Sequence, residues 1–252
     1  MDRDNKYGTL EIQKQLLELL KEFHKLCQIN KIKYSVSSGT LLGLVRHKGF
    51  IPWDDDIDIV TDRENYRKLV EILPTGNLGI EHGTKESFWI DRVRLVHCDL
   101  DEKPTIDVFI SDNAPKNSVQ CYVKILLLKL LQGMMKENPR YSKYSFGFKM
   151  VSFLASSLGK PFSGNLKMRW YNKVSKWGNN SEHDFLIMSN DQYTGLRYRY
   201  PKNLFDEICL TPFEDTEVFA MSHYDEYLTL IYGDYMTPPN VEGRHPLHIK
   251  ES

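Results

Sequence analysis

Asp56 and Asp58 stand two apart in the stretch Pro52-Trp-Asp-Asp-Asp-Ile-Asp-Ile-Val60. Side chains of a strand alternate between its faces, so both carboxylates share one face, while Ile57 and Ile59 share the other and can enter a core. Two like charges so placed repel each other, and a divalent cation between them relieves the repulsion. Mg²⁺ suits hard oxygen ligands and commonly binds through one or two carboxylates together with substrate phosphates. The alternative is a solvated acidic bend that includes Asp54 and Asp55. The isoleucines argue for a rigid strand, and if that strand begins early, Asp55 points away from Asp56.

Two further pieces carry chemistry. Ser38-Gly39-Thr40 lies where a strand passes into a helix, and backbone N–H groups at such a point can bind phosphate. Arg46 follows at a distance from which its guanidinium could grip a phosphate with two hydrogen bonds. The alternative is an ordinary tight turn and a surface arginine. Asp107 sits inside the apolar run Thr105-Ile-Asp-Val-Phe-Ile110. An acid in such a run is seldom buried without a reason. A metal, a proton transfer or a structural hydrogen bond would each supply one.

The surrounding pattern shows how these residues are positioned. Ile12, Leu16, Leu19, Leu20, Phe23 and Cys27 recur at steps of three and four, which predicts a helix over 9–28 with Thr9 as its N-cap. A strand over 32–37 leads through a turn eased by Gly39 into a short helix over 41–46. A strand over 56–60 precedes a helix capped by Asp62 that Pro74 ends. Strands follow over 88–97 and 104–110. The spacing then predicts helices over 117–136, 149–158 and 163–177, short strands after 181, and a helix near 222–232. The fold class is α+β: a mixed or antiparallel sheet flanked by helices, with a mostly helical insertion. The divisions expected are a catalytic core over 1–114, a helical subdomain over 115–180 and a C-terminal region over 181–252 that completes the site.

Bulk properties narrow the functional classes. The chain has 252 residues, 41% hydrophobic and 27% charged, with a formal net charge of −1. That composition is globular rather than disordered, and it lacks the basic excess of a protein that coats nucleic acid, so no nucleic-acid partner is expected. Cys27, Cys98, Cys121 and Cys209 form no CxxC pair and read as buried or half-buried thiols. With no apolar signal core and no run near the ~18 residues of a membrane span, a cytoplasmic location is expected. The helix over 117–136 could still lie on the inner face of a membrane, with Lys124, Lys129 and Lys136 toward anionic headgroups. His245 and His248 are separated by Pro246, which argues against a helix that would align them on zinc.

The continuous segment from Ser38 to Ile59, with Thr105–Phe109, Tyr200-Pro201 and Tyr232-Gly-Asp-Tyr-Met-Thr-Pro-Pro239, strongly resembles the LicD family. That family includes bacterial phosphorylcholine transferases, is related to fukutin-type ribitol-phosphate transferases, and is built on the nucleotidyltransferase fold. The resemblance implies transfer of a phospho-alcohol from a CDP-activated donor to a sugar hydroxyl of a glycan or lipid-linked glycan, with release of CMP. It implies Asp56 and Asp58 as ligands of Mg²⁺, or of Mn²⁺ in its place, and Asp107 as a further ligand or the base. Ser38, Gly39, Thr40 and Arg46 would hold the donor's phosphates. A choline cargo needs aromatic faces, for which Trp53, beside the acids, is one candidate; Trp89, Trp170 and Trp177 are others. Ribitol phosphate, glycerol phosphate, a true nucleotidyl transfer and an inactive nucleotide- or glycan-binding module are the competing readings.

Overall fold

The computed structural model describes residues 5–73, 76–82, 90–96, 104–136, 146–240, 243 and 245–246, with the side chains of 146–149 and 151 left aside. The chain divides into two compact units, 1–81 with 91–109 and 203–252, and 82–90 with 110–202. Among the described residues, seven α-helices and nine strands give the α+β, nucleotidyltransferase-like fold expected.

In the first unit, α1 (Leu10–Ile29) buries Leu16, Leu19, Leu20, Phe23 and Cys27. Each such side chain contributes about 2 kcal/mol of hydrophobic stabilisation. Thr9 occupies the N-cap position without capping; its hydroxyl donates to the carbonyl of Pro52 instead. β1 is only Ser35–Val36, shorter than the predicted strand, although Ile32 and Tyr34 ahead of it are buried. α2 (Ser38–His47) follows at once, β2 spans Ile57–Asp62, and α3 spans Arg63–Ile72. Asp62 caps α3 as predicted, accepting from the N–H of Asn65.

β3 (Leu78–Glu81), β4 (Asp91–Leu95) and β5 (Ile106–Asn113) come next in sequence. After the second unit the chain adds β8 (Ile208–Phe213), β9 (Thr216–Met221) and α7 (Tyr224–Tyr232). The order across the sheet is β3-β4-β5-β2-β1-β9-β8. The pairing of β1 with β2 is antiparallel and with β9 parallel, so the sheet is mixed. β1 is thereby locked between the next strand in sequence and one from near the far end of the chain.

The second unit holds α4 (Ser118–Met135), α5 (Phe146–Gly159) and α6 (Gly164–Ser175), with β6 (Phe185–Met188) and β7 (Tyr200–Pro201). Residues 111–113 of β5 pair with β6, and β6 pairs with β7. Asn117 caps α4 by accepting from the N–H groups of Val119 and Gln120. Lys124 lies wholly buried and donates to the carbonyls of Asn113 and Trp177. It therefore takes no part in the headgroup contact expected of it. No helix among the described residues is long and apolar enough to cross a membrane.

Candidate active site

The site begins at the turn from β1 into α2. The left-handed residue of that turn is Ser38, with φ of 45°, rather than the glycine after it. A serine pays steric strain there, and such strain gathers at functional sites. Gly39 is needed for a different reason: a Cβ on it would lie 3.0 Å from a carboxylate oxygen of Asp54. Gly43, one turn on, lets the helix approach the following loop, since a Cβ there would lie 2.5 Å from the carbonyl oxygen of Gly49.

The acidic loop is held from outside. The Gln13 amide, buried on α1, donates to the carbonyls of Ile51 and Asp54 at 3.0 and 2.8 Å. β2 starts at Ile57, so Asp54, Asp55 and Asp56 lie in the loop before it, where strand alternation does not apply. Their carboxylates come within 4.8 Å of one another. Asp55, discounted on the alternation argument, is thus part of the acidic cluster.

Asp58 lies on β2, while Ile57 and Ile59 are fully buried on its other face, as alternation requires. Burial pushes the Asp58 carboxyl well above the usual carboxylate range, and the charges of Asp56, Asp107 and Asp54 push the same way. The N–H of Gly39 opposes them by hydrogen bonding to the carboxylate. The main chain of Asp58 is fixed too: its N–H donates to the buried Thr40 hydroxyl at 2.8 Å, and its carbonyl accepts from Ser37. Thr40 thus positions Asp58.

Asp107 is buried on β5 and bonded at 2.9 Å to Arg92, its cross-strand partner on β4. Arg46 donates to the carbonyl of Tyr235 at 3.1 Å. Trp53 is half-buried, with the rings of Tyr7 and His47 edge-on at centroid distances of 5.6 and 6.5 Å. The structure brings Asp56, Asp58, Asp107, Ser38, Gly39 and Thr40 into one neighbourhood. Trp170 instead packs against Phe162 and the core of the helical unit. Trp89 and His248 lie outside the described residues.

Three tyrosines were not foreseen as site residues. The hydroxyl of Tyr227, buried on α7, accepts from the N–H of Ser38 at 3.2 Å and lies 3.4 Å from its Oγ. The Tyr232 hydroxyl is pushed up by burial, by Tyr227 and by the charges of Asp58, Asp54 and Asp56, which places it near the acids. Tyr235 supplies the carbonyl that Arg46 meets. The motif beginning at Tyr232 was the signal for Tyr232 and Tyr235, and Tyr227 had none.

Residues 31–124 match the family described as LicD/FKTN/FKRP, nucleotidyltransferase domain. The chain is 29% identical over 264 aligned residues to the lipopolysaccharide cholinephosphotransferase LicD of Haemophilus influenzae, covering 96% of each chain. It is 28% identical over 173 residues to an uncharacterized protein of Rickettsia prowazekii, covering 61% of this chain and 63% of that one. A second uncharacterized protein, from Rickettsia typhi, is 51% identical over 59 residues, 23% of this chain and 19% of its own. The acidic cluster, the strand and helix that carry it, the domain match over residues 31–124 and the alignment along nearly the whole length make the chain similar to the LicD family.

Proposed function

We propose that the protein moves a phospho-alcohol, phosphocholine first, from a CDP-activated donor to a sugar hydroxyl of a cell-surface glycan, releasing CMP. The observation that carries this reading is the convergence of acids on Asp58, in a chain that aligns over 96% of its length with a lipopolysaccharide cholinephosphotransferase. Lipopolysaccharide is therefore the first acceptor to test, and a teichoic acid precursor offers the same hydroxyl chemistry.

A carboxyl held up by burial and by the charges of its neighbours fits a hard divalent cation such as Mg²⁺ or Mn²⁺. Asp56 and Asp58 would hold it, with Asp54 or Asp107 completing the set. When bound, such an ion would neutralise the donor's diphosphate and the charge gathering on the departing CMP. The residues do the rest by positioning. Ser38 Oγ and Arg46 would hold the donor's phosphates. The acceptor oxygen bonds to the distal phosphorus as the bond from that phosphorus to the bridging oxygen breaks. CMP leaves with the bridging oxygen and its electron pair, and the hydroxyl proton passes to a carboxylate. Arg92 orients Asp107 and supplies a positive charge to it, which suits a fixed ligand better than a proton acceptor. Trp53 is the aromatic candidate for a choline cation.

The test is product analysis. The protein would be incubated with CDP-choline, Mg²⁺ and lipopolysaccharide lacking the modification, with Asp58→Asn as control. CMP formed with choline on the glycan is the expected result. Turnover confined to CDP-ribitol or CDP-glycerol would change the cargo and leave the site intact. Pyrophosphate released from a nucleoside triphosphate would overturn the donor assignment, and nucleotide binding without turnover would make the chain a binding module.

A further inference from the structure

The near-neutral charge of the chain hides a strong local imbalance. Residues 115–181 contain twelve Lys or Arg and one Asp or Glu, although the whole chain has a formal net charge of −1. The same segment carries an unusual apolar surface. α4 is apolar on two sides. One side packs inward through Cys121, Ile125, Leu128 and Leu131. The other, Val119, Tyr122, Val123, Leu126, Leu127 and Leu130, recurs at steps of three and four and is 37–70% exposed.

α5 lies against α4 and adds Met150, Phe153, Leu154 and Leu158, each more than half exposed. Between the two helices is a cavity of about 370 Å³, lined by leucines of both and bordered by Lys129 and Lys136. Continuous apolar surface of this kind marks an interaction site.

We propose that this face docks on an anionic lipid bilayer, with its leucines and Phe153 in the boundary between headgroups and acyl chains. Charge selects the occupant. Pairing the face with a second copy would bring two strongly positive segments together, whereas an anionic bilayer offers apolar depth and opposite charge at once. Lys160, Arg169, Lys173 and Lys176 are exposed on the same unit. Lys124 and Lys167 commit their ammonium groups to main-chain carbonyls and do not contribute. The contact is peripheral, since no described helix can span a bilayer.

The test is co-sedimentation of the full-length protein with vesicles of mixed phosphatidylglycerol and phosphatidylcholine, and with phosphatidylcholine alone. No nucleotide is present, so the outcome is independent of the transfer reaction. The protein should pellet with the anionic vesicles at low salt and at least tenfold less with the zwitterionic ones. Leu126→Glu with Phe153→Glu should lower the anionic partition at least tenfold at unchanged Tm. If that pair unfolds the protein, Lys160→Glu with Lys176→Glu tests the electrostatic half and should cost several-fold. Wild-type protein left in the supernatant with anionic vesicles would overturn the proposal. So would a dimer in sedimentation velocity that the Leu126 and Phe153 changes dissociate, because the face would then belong to a second copy.

Discussion

Lys124 and Lys167 in the helical unit, and the aspartates around Asp58 in the other, are charges taken from water in opposite ways. Each lysine is buried, and each donates to two main-chain carbonyls, Asn113 and Trp177 for Lys124, Met134 and Gly159 for Lys167. Those carbonyls lie at or beyond the ends of structural elements, where main-chain acceptors lack partners of their own. The lysines therefore close the helical unit. The acids do the reverse: Asp54, Asp56 and Asp107 each raise the cost of ionising Asp58. Like charges held together at a cost mark a candidate functional site, and this contrast supports the proposed cation site.

Breaking the acidic side should give the largest effect. Asp58→Asn should lower turnover on the order of 10³-fold, the size expected when charge stabilisation in a transfer site is lost. Its Tm should stay level or rise, because a repelling charge has gone. Millimolar Mg²⁺ should raise the Tm of the wild type and not of the variant. A variant that kept both turnover and the Mg²⁺ response would show that the cluster is merely an acidic bend.

The basic side should behave in the opposite sense. Lys124→Met keeps the apolar stem and removes the ammonium, leaving the carbonyls of Asn113 and Trp177 short of a donor. Denaturant titration should find a loss of about 2–4 kcal/mol. A loss below about 0.5 kcal/mol would mean that water replaces the lysine easily, and the contrast would weaken. Gly43→Ala should cost about 2 kcal/mol, because the new methyl meets the Gly49 carbonyl and the loop leading to the acids must move. Turnover should fall with it. Stability lost at full turnover would separate the helix contact from the site.

The smallest effect concerns an acid outside the cluster. Burial pushes Asp191 up to about 6 from an ordinary 3.8, and the N–H of Gln192 only partly opposes this. The folded state thus favours the protonated form. The contribution of Asp191 to stability should be fully present below about pH 4 and be lost as pH rises through about 6, a change on the order of 1–2 kcal/mol. Asp191→Asn should flatten that slope. An unchanged slope would assign the pH dependence to other groups.

The two regions also differ in how far the sequence exposes them. α1, α4, α6 and α7 were legible because an apolar stripe at helical spacing is a local signal, and Asp62 as a cap is equally local. The Asp56-Ile-Asp58-Ile pattern placed Asp58 on a strand with Ile57 and Ile59 buried behind it, although β2 begins only after Asp56. β3 was missed: Leu78-Gly-Ile-Glu81 is a short edge strand, and a glycine interrupts its alternation. Asp55 was set apart because strand alternation was carried back past Ile57, where β2 begins. Tyr227 was out of reach because its partner, Ser38, lies 189 residues away, and nothing near it in sequence marks a buried hydroxyl for this use.

That separation also bears on how the enzyme is made. Ser38 with Tyr227 and Arg46 with Tyr235 are each 189 residues apart, and Ser35 accepts from Met221 across 186. A ribosome has released all five aspartates long before α7 emerges. The nascent chain therefore carries the acids for much of its synthesis without the tyrosines that hold the turn beside them. Assembly of the site is a late event governed by slow, long-range closure of the chain. Messages cut short before codon 227 would yield a chain that keeps the whole acidic motif and lacks a finished catalytic centre.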